Sequence, residues 1–328
     1  MGEYVTPKQY KYNIEVDNLN NKLKSKNIFE NKITAILLAI SCSAAWAFAF
    51  PLIKVGIKDF QIGSDDTAAK TLFAGIRFFA AGVVVLVIAK CMRMKIKING
   101  TKNILTILLF GLVNTALHYF FYYIGLSNQT GSRSAIIDSM SSFILIISAC
   151  AFFKEEKLTV KKIIGCFLGF GGIMLVNVGG DLSSRFTFMG DGMLILSAVF
   201  SAMGGLLTRV AGKKGDPLVV TGISLAFGGG LMMIYGFAAG GRLNVWTIHG
   251  VFVLVCLTAI SVYGFSIYNR LLCSNPVGEI AIFNSLIPIL GVILSCVILG
   301  EPFKTEYIFA GIIVSLGICV ININGDKH

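Results

Sequence analysis

One half of this chain repeats the other. About five apolar segments closing on FFKEEKLTVKKIIGCFLGFGGIMLVN (152–177) are followed by about five more closing on ILGEPFKTEYIFAGIIVSLGICVIN (298–322). A shift of 145 residues lays Glu156 on Glu301, Gly172 on Gly317 and Asn177 on Asn322. Five is an odd number of crossings, so each copy ends on the opposite side of a membrane from where it began. The second copy is then inserted upside down. Inverted repeats of this kind are a mark of secondary transporters, in which two halves rock about a site near the bilayer midplane.

The pattern needs a membrane, and the composition supplies the reason. Hydrophobic residues make up 55% of the 328 and charged residues only 14%, against roughly 25% charged in soluble domains. Ten spans of roughly 20 residues each would leave about 128 for a tail and short loops. That leaves no room for a soluble catalytic domain. The expected fold is an all-α integral membrane protein of ten transmembrane helices, with segments near 33–57, 71–90, 104–126, 133–153, 163–179, 188–208, 218–239, 249–271, 278–299 and 306–322. It divides into a polar tail (1–32), a first five-helix repeat (33–179) and a second (188–322).

The net charge of +11 would suit nucleic acid, but its placement points to the bilayer instead. With the N-terminus in the cytoplasm, twenty Lys and Arg fall inside, and only Lys58, Lys70, Arg133, Arg185, Arg242 and Lys304 fall outside. Such a bias predicts a multi-pass protein of the cell membrane with both termini cytoplasmic. The tail has no apolar core, so no cleaved signal peptide is expected. The eight cysteines are scattered, form no CxxC pair and read as small packing residues.

Several stretches carry a family resemblance. SAAWAFAFPLIK (43–54), RFFAAGVVVL (77–86), EEKLTVKKIIGCFLGFGGIML (155–175) and AIFNSLIPILGVILSCVILGEPF (281–303) resemble, in order and spacing, the EamA-type members of the drug/metabolite transporter superfamily. The resemblance covers residues 33–322 and implies a carrier that exports amino acids or related metabolites by alternating access. The chain departs from the pattern at Phe143, where the second repeat has Pro288, and at Asp138, where an apolar or small residue is usual.

Charge inside a span is expensive, roughly 2.5–3.5 kcal/mol at a helix centre, so Lys54, Arg77 and Asp138 are the gating or ion-pair candidates. Arg77 and Asp138 lie at similar depth, about 8–9 Å in, which permits a pair and leaves Lys54 free near the outer mouth. A second set sits near the midplane. Trp46 is central in segment one, and Asn114, His118 and Tyr122 recur every four residues on one face of segment three. The shift of 145 matches Tyr263 to His118, and Ser142 faces Asn284 across segments four and nine. Together these would line a polar-aromatic cavity for a small-molecule substrate. His118, with Asp138, is a candidate for proton coupling.

Other residues read as scaffold. Pro288 should kink segment nine. Glu156 and Glu301 should each cap the next helix. Gly165, Gly169 and Gly172 share a face suited to close packing within the bundle, with a homodimer as the lesser reading, and Gly311 is a candidate for the same role. No phosphate-binding GxxxxGK[ST], HExxH or GxSxG occurs, so neither an ATP-driven pump nor an enzyme is expected, and no cofactor or metal. The rival within the class is efflux of lipophilic cations, which would want an unpaired carboxylate such as Asp138 or Glu279. Outside it, the rival is a lipid-handling or enzymatic membrane protein.

Overall fold

The computed structural model describes residues 28–96, 98–153, 158–178, 186–303 and 305–322, and every regular element among them is helical. In chain order these are α1 (Lys32–Asp59), α2 (Thr67–Cys91), α3 (Thr101–Ser127), α4 (Gly131–Phe152), α5 (Val160–Val178), α6 (Phe188–Gly212), α7 (Pro217–Ala238), α8 (Ile248–Ser274), α9 (Val277–Ala281), α10 (Leu286–Leu299) and α11 (Thr305–Asn322). The helices α1–α4 and α6–α8 are the seven long and apolar enough to cross a membrane. Shorter apolar helices follow at Leu286–Leu299 and Thr305–Gly317. Leu37, Phe167, Phe252 and Val297 are among many large apolar side chains left exposed, as a lipid-facing surface requires. The tail up to residue 27, Glu156, Arg185 and Lys304 lie outside the described residues, as do the side chains of Asn177, Glu279, Ser285 and Asn322.

Helix starts follow their capping residues. Asn31, Asp66, Thr130, Asp216 and Thr247 each accept a hydrogen bond from a backbone amide of the first turn they precede, satisfying donors that nothing else in the helix can reach. Pro217 follows Asp216 at the first position of α7, where its missing N–H costs nothing.

The helices pack in a pattern that exchanges the two halves. The first helix, α1, packs on α8 and α10, while α6 packs on α3 and α4. α2 packs along α7, and α5 along α11. Glycine sets both of these last crossings. A Cβ on Gly82 of α2 would lie 2.2 Å from Ala226 N of α7, and one on Gly229 would lie 2.3 Å from Phe79 N. On the other pair, a Cβ on Gly317 would lie 2.6 Å from Gly165 O and one on Gly172 2.9 Å from Ala310 O. The glycine face of segment five thus serves packing inside this chain. Gly311 is not part of it: its nearest neighbour is the Ile289 side chain at 3.6 Å, an ordinary contact. Phe143, fully buried, sits where a Cβ on Gly169 would be 2.0 Å from its ring, so the bulky departure in segment four is matched by a missing side chain in segment five.

Candidate functional site

Three helices lose their regular winding at one level of the bundle. α3 turns π-helical over Leu112–Leu117 and resumes at His118. α4 breaks at Ser139, between Asp138 and Met140. Between α9 and α10 the chain tightens to a 3-10 turn over Ile282–Ser285. Pro288 accounts for this last one: it has no N–H to return to the Asn284 carbonyl four residues back. Irregular backbone at membrane depth is tolerated where it is buried in protein or lines a cavity, and π-helical turns recur at functional sites.

A cavity of about 110 Å³ lies at these irregularities, room for several waters or a compact solute. Its aromatic wall includes Trp46, Phe50, Tyr119, Tyr122, Phe265 and Tyr268, and its polar wall includes Arg77, Asn114, His118, Asp138, Ser142 and Asn284. Trp46 meets Tyr268 edge-on at 4.8 Å and Phe265 at 5.7 Å, and Phe50 meets Tyr122 at 5.7 Å. Two glycines seat the wall: a Cβ on Gly264 would be 2.6 Å from Trp46 Nε1, and one on Gly204 would be 2.2 Å from Asn114 Oδ1. Asn284 Nδ2 donates to Tyr268 Oη at 2.7 Å. His118 Nδ1 lies 3.2 Å from the Asn114 carbonyl, which can only accept. The proton therefore sits on Nδ1, and the Nε2 lone pair is left for another partner.

The charges within the spans are arranged differently from the sequence-based expectation. Arg77 does not pair with Asp138. Its Nε donates to Leu257 O at 3.1 Å and Ser261 Oγ at 2.9 Å, its Nη1 donates to Tyr123 Oη at 3.1 Å, and its guanidinium lies 4.8 Å from the Phe78 ring centre. Neutral oxygens and an aromatic face satisfy the cation, so it does not need the carboxylate. Lys54 is not free either. It donates to Gln129 O at 2.6 Å and pairs with Glu301 at 3.6 Å. Glu301 caps a helix, but not the next one. It accepts from Gly131 N at 2.7 Å, Ser132 N at 3.1 Å and Ser132 Oγ at 2.8 Å, at the start of α4 in the other half.

These contacts belong to a seal across one end of the cavity. Beside Glu301, Arg133 Nε meets Asp191 Oδ1 at 2.8 Å with both side chains almost fully buried. Gln129 Nε2 donates to Asp191 Oδ2 and to Thr187 Oγ1, each at 3.0 Å. The α3–α4 turn is thus gripped by α1 and by both ends of the second half. At the opposite end the described ion pair is longer and more exposed: Arg270 Nη1 lies 3.6 Å from Asp216 Oδ2, with side chains 26% and 31% exposed. There the cavity wall at Thr208 and Leu272 is continued, one residue further along α6 and α8, by Arg209 and Cys273. With Phe153, Gly212 and Lys213 these line a second hollow of about 220 Å³.

Of the residues singled out from sequence, Trp46, Arg77, Asn114, His118, Tyr122, Asp138, Ser142 and Asn284 share the cavity wall. Lys54 lies beyond it, in the seal. Tyr263 is off the wall, 39% exposed and bonded to Ser41 Oγ at 2.6 Å. The residues of α8 on the wall are Phe265, Tyr268, Asn269 and Leu272, and Tyr263 is two positions from Phe265, on the opposite face. The match to His118 fails because the register changes along the repeat. Ser127-Asn128 aligns with Ser274-Asn275, a shift of 147, and that shift sets His118 on Phe265. Sequence reading missed the α6 wall, Ser201, Gly205 and Thr208. The signal for it was the symmetry itself: if Trp46 of segment one lines the site, segment six should too. Among the described residues, no group of three or more His, Cys, Asp or Glu is placed to hold a metal ion.

A family model described as the EamA-like transporter family matches the chain twice, over residues 33–178 and 188–323. The chain is 25% identical over 292 residues to the uncharacterized transporter YvbV of Bacillus subtilis, covering 88% of this chain and 91% of that protein. It is 26% identical over 253 residues to YetK of the same organism, also an uncharacterized transporter, covering 75% and 76%. A chloroplastic WAT1-related protein of Arabidopsis thaliana is 22% identical over 76% of this chain and 62% of its own. One solved crystal structure superposes with a TM-score of 0.67 at 14% identity, covering 88% of this chain and 95% of the other, a likeness of fold.

Proposed function

Because the chain belongs to the EamA-like transporter family and is a multi-pass membrane transporter, we propose that it is a secondary-active carrier that exports a small metabolite, such as an amino acid, across the cell membrane by alternating access. The observation that carries this reading is one polar-aromatic cavity, walled by helices of both halves and closed at one end by a buried ion pair. In the proposed topology ten crossings form two inverted repeats. The exchange of packing partners between halves supports this, as does the fit of one family model to each half. The Lys and Arg bias then puts the seal outside and the Arg209–Lys213 hollow in the cytoplasm, so the conformation is the inward-facing one.

Purified protein in liposomes tests this directly. Against a panel of labelled amino acids, nucleosides, sugars and cationic dyes, at least one class should cross faster than in empty vesicles. Absence of flux for every class, with and without a pH gradient, refutes the carrier.

Proton coupling is the second element of the proposal. His118 presents an open Nε2 to the cavity that Asp138 also lines. Arg77 from α2, Tyr119 and Tyr122 from α3 and Tyr268 from α8 are the other ionisable groups on that wall. His118→Gln should therefore flatten the dependence of flux on pH. A variant with the wild-type pH profile removes His118 from the coupling.

A further inference from the structure

The carboxylate of Asp138 is the least satisfied charge in the cavity. It ends the first part of α4, where the helix breaks at Ser139, so the negative end of a helix dipole adds to its own charge. Its Oδ1 is buried without a hydrogen-bond partner. Each cation that could neutralise it is committed elsewhere. Arg77 is held by Leu257, Ser261 and Tyr123. Lys54 is held by Glu301 and Gln129, and Arg133 by Asp191. The cavity wall it shares is aromatic, with Phe50, Tyr119 and Tyr122, and ring faces attract an alkylammonium. No metal-ligating cluster exists among the described residues to offer another counter-charge. The anion is therefore left for something that enters the cavity.

We propose that Asp138 receives the positively charged nitrogen of the substrate, so that the carrier selects solutes bearing an ammonium group over neutral or anionic ones of the same shape. This deepens the carrier reading and rests on the cavity being the transport site. An amino acid meets the requirement through its ammonium end; a simple carboxylate or sugar does not.

The protein contains its own probe. Of its two tryptophans, Trp46 lines the cavity, while Trp246 is 57% exposed, meets Phe60 edge-on and is bonded to Leu243 O. In a Trp246→Phe background, Trp46 emission reports the cavity alone. We would titrate it with phenethylammonium, 2-phenylethanol and 3-phenylpropionate, three solutes that share the phenylethyl body and differ in the charge of the end group. The cation should bind at least about tenfold more tightly than either other solute, the effect of one unscreened charge pair. Asp138→Asn should level the three, and Asp138→Glu should keep the preference. Binding of the alcohol or the carboxylate as tightly as the cation overturns the proposal. So does no response to the cation, or a preference that survives in Asp138→Asn. The wild-type-cavity titration needs no change at Asp138, so misfolding of a variant cannot rescue the idea. Flux in liposomes without cation preference at Trp46 would leave the carrier standing and remove this inference. Cation preference without flux of any solute would do the reverse.

Discussion

Asp191→Ala will destabilise the protein by about 3–5 kcal/mol and open the end of the bundle that carries Lys54. Asp191 is 1% exposed and its partner Arg133 is 4% exposed. Its Oδ2 also accepts from Gln129 Nε2 at 3.0 Å and Thr187 N at 2.9 Å. Truncation leaves these donors buried without their acceptor, and breaking one side of a buried pair costs far more than the pair itself contributes. Thermal unfolding in detergent reads the stability. Cys296, whose Sγ lies 3.9 Å from Ser132 Oγ behind the seal, reads the opening. A membrane-impermeant maleimide should label it faster in the variant, as measured by mass spectrometry of the peptide. Glu301→Gln should give the same direction with a smaller effect, since it keeps the side chain and loses the charge facing Lys54. Unchanged labelling in both variants would mean that these contacts do not close the cavity.

Gly82→Val should yield no monodisperse protein. The added Cβ would stand 2.2 Å from Ala226 N and 2.7 Å from Ala226 Cα, and a helix backbone cannot yield to it as a flexible side chain would. α2 and α7 must move apart along their whole crossing, where Gly75 and Gly229 hold the same close approach. Overpacking costs about 1–3 kcal/mol where side chains can adjust, so at least about 3 kcal/mol is expected where they cannot. The measurement is size-exclusion chromatography of a fluorescent fusion, beside Val83→Ala, whose side chain is 42% exposed on the same helix and should behave as wild type. Normal yield and Tm for Gly82→Val would show that the α2–α7 crossing is looser than a 2.2 Å approach allows.

Much of the cavity was readable because polar residues are rare in the spans. Asn114, His118 and Tyr122 stood out by their four-residue spacing, Asp138 by its cost in lipid, Trp46 by its central place in segment one, and Asn284 by its place opposite Ser142. All of them reached the wall. Tyr263 failed for a local reason. The shift is 147 at Ser127-Asn128 and 145 at Glu156, because the first repeat is two residues longer between them, so a single repeat shift carried the wrong register onto α8. Ser201, Gly205 and Thr208 escaped notice because small residues look like packing until a cavity is found beside them.

The charges separate the two levels of information most sharply. Sequence alone determined that Lys54, Arg77 and Asp138 are costly where they stand, since an ionised group in a span is expensive wherever the fold places it. It also determined the membrane, the helices and the doubling, because apolar length and local repetition are properties of the chain itself. Which partner each charge takes was decided by tertiary structure alone. Arg77 found neutral oxygens on α3 and α8, Lys54 found Glu301 from the other repeat, and Asp138 found none. Those choices depend on a few ångströms of helix packing between residues as many as 247 positions apart (301 − 54), a distance that no local pattern encodes.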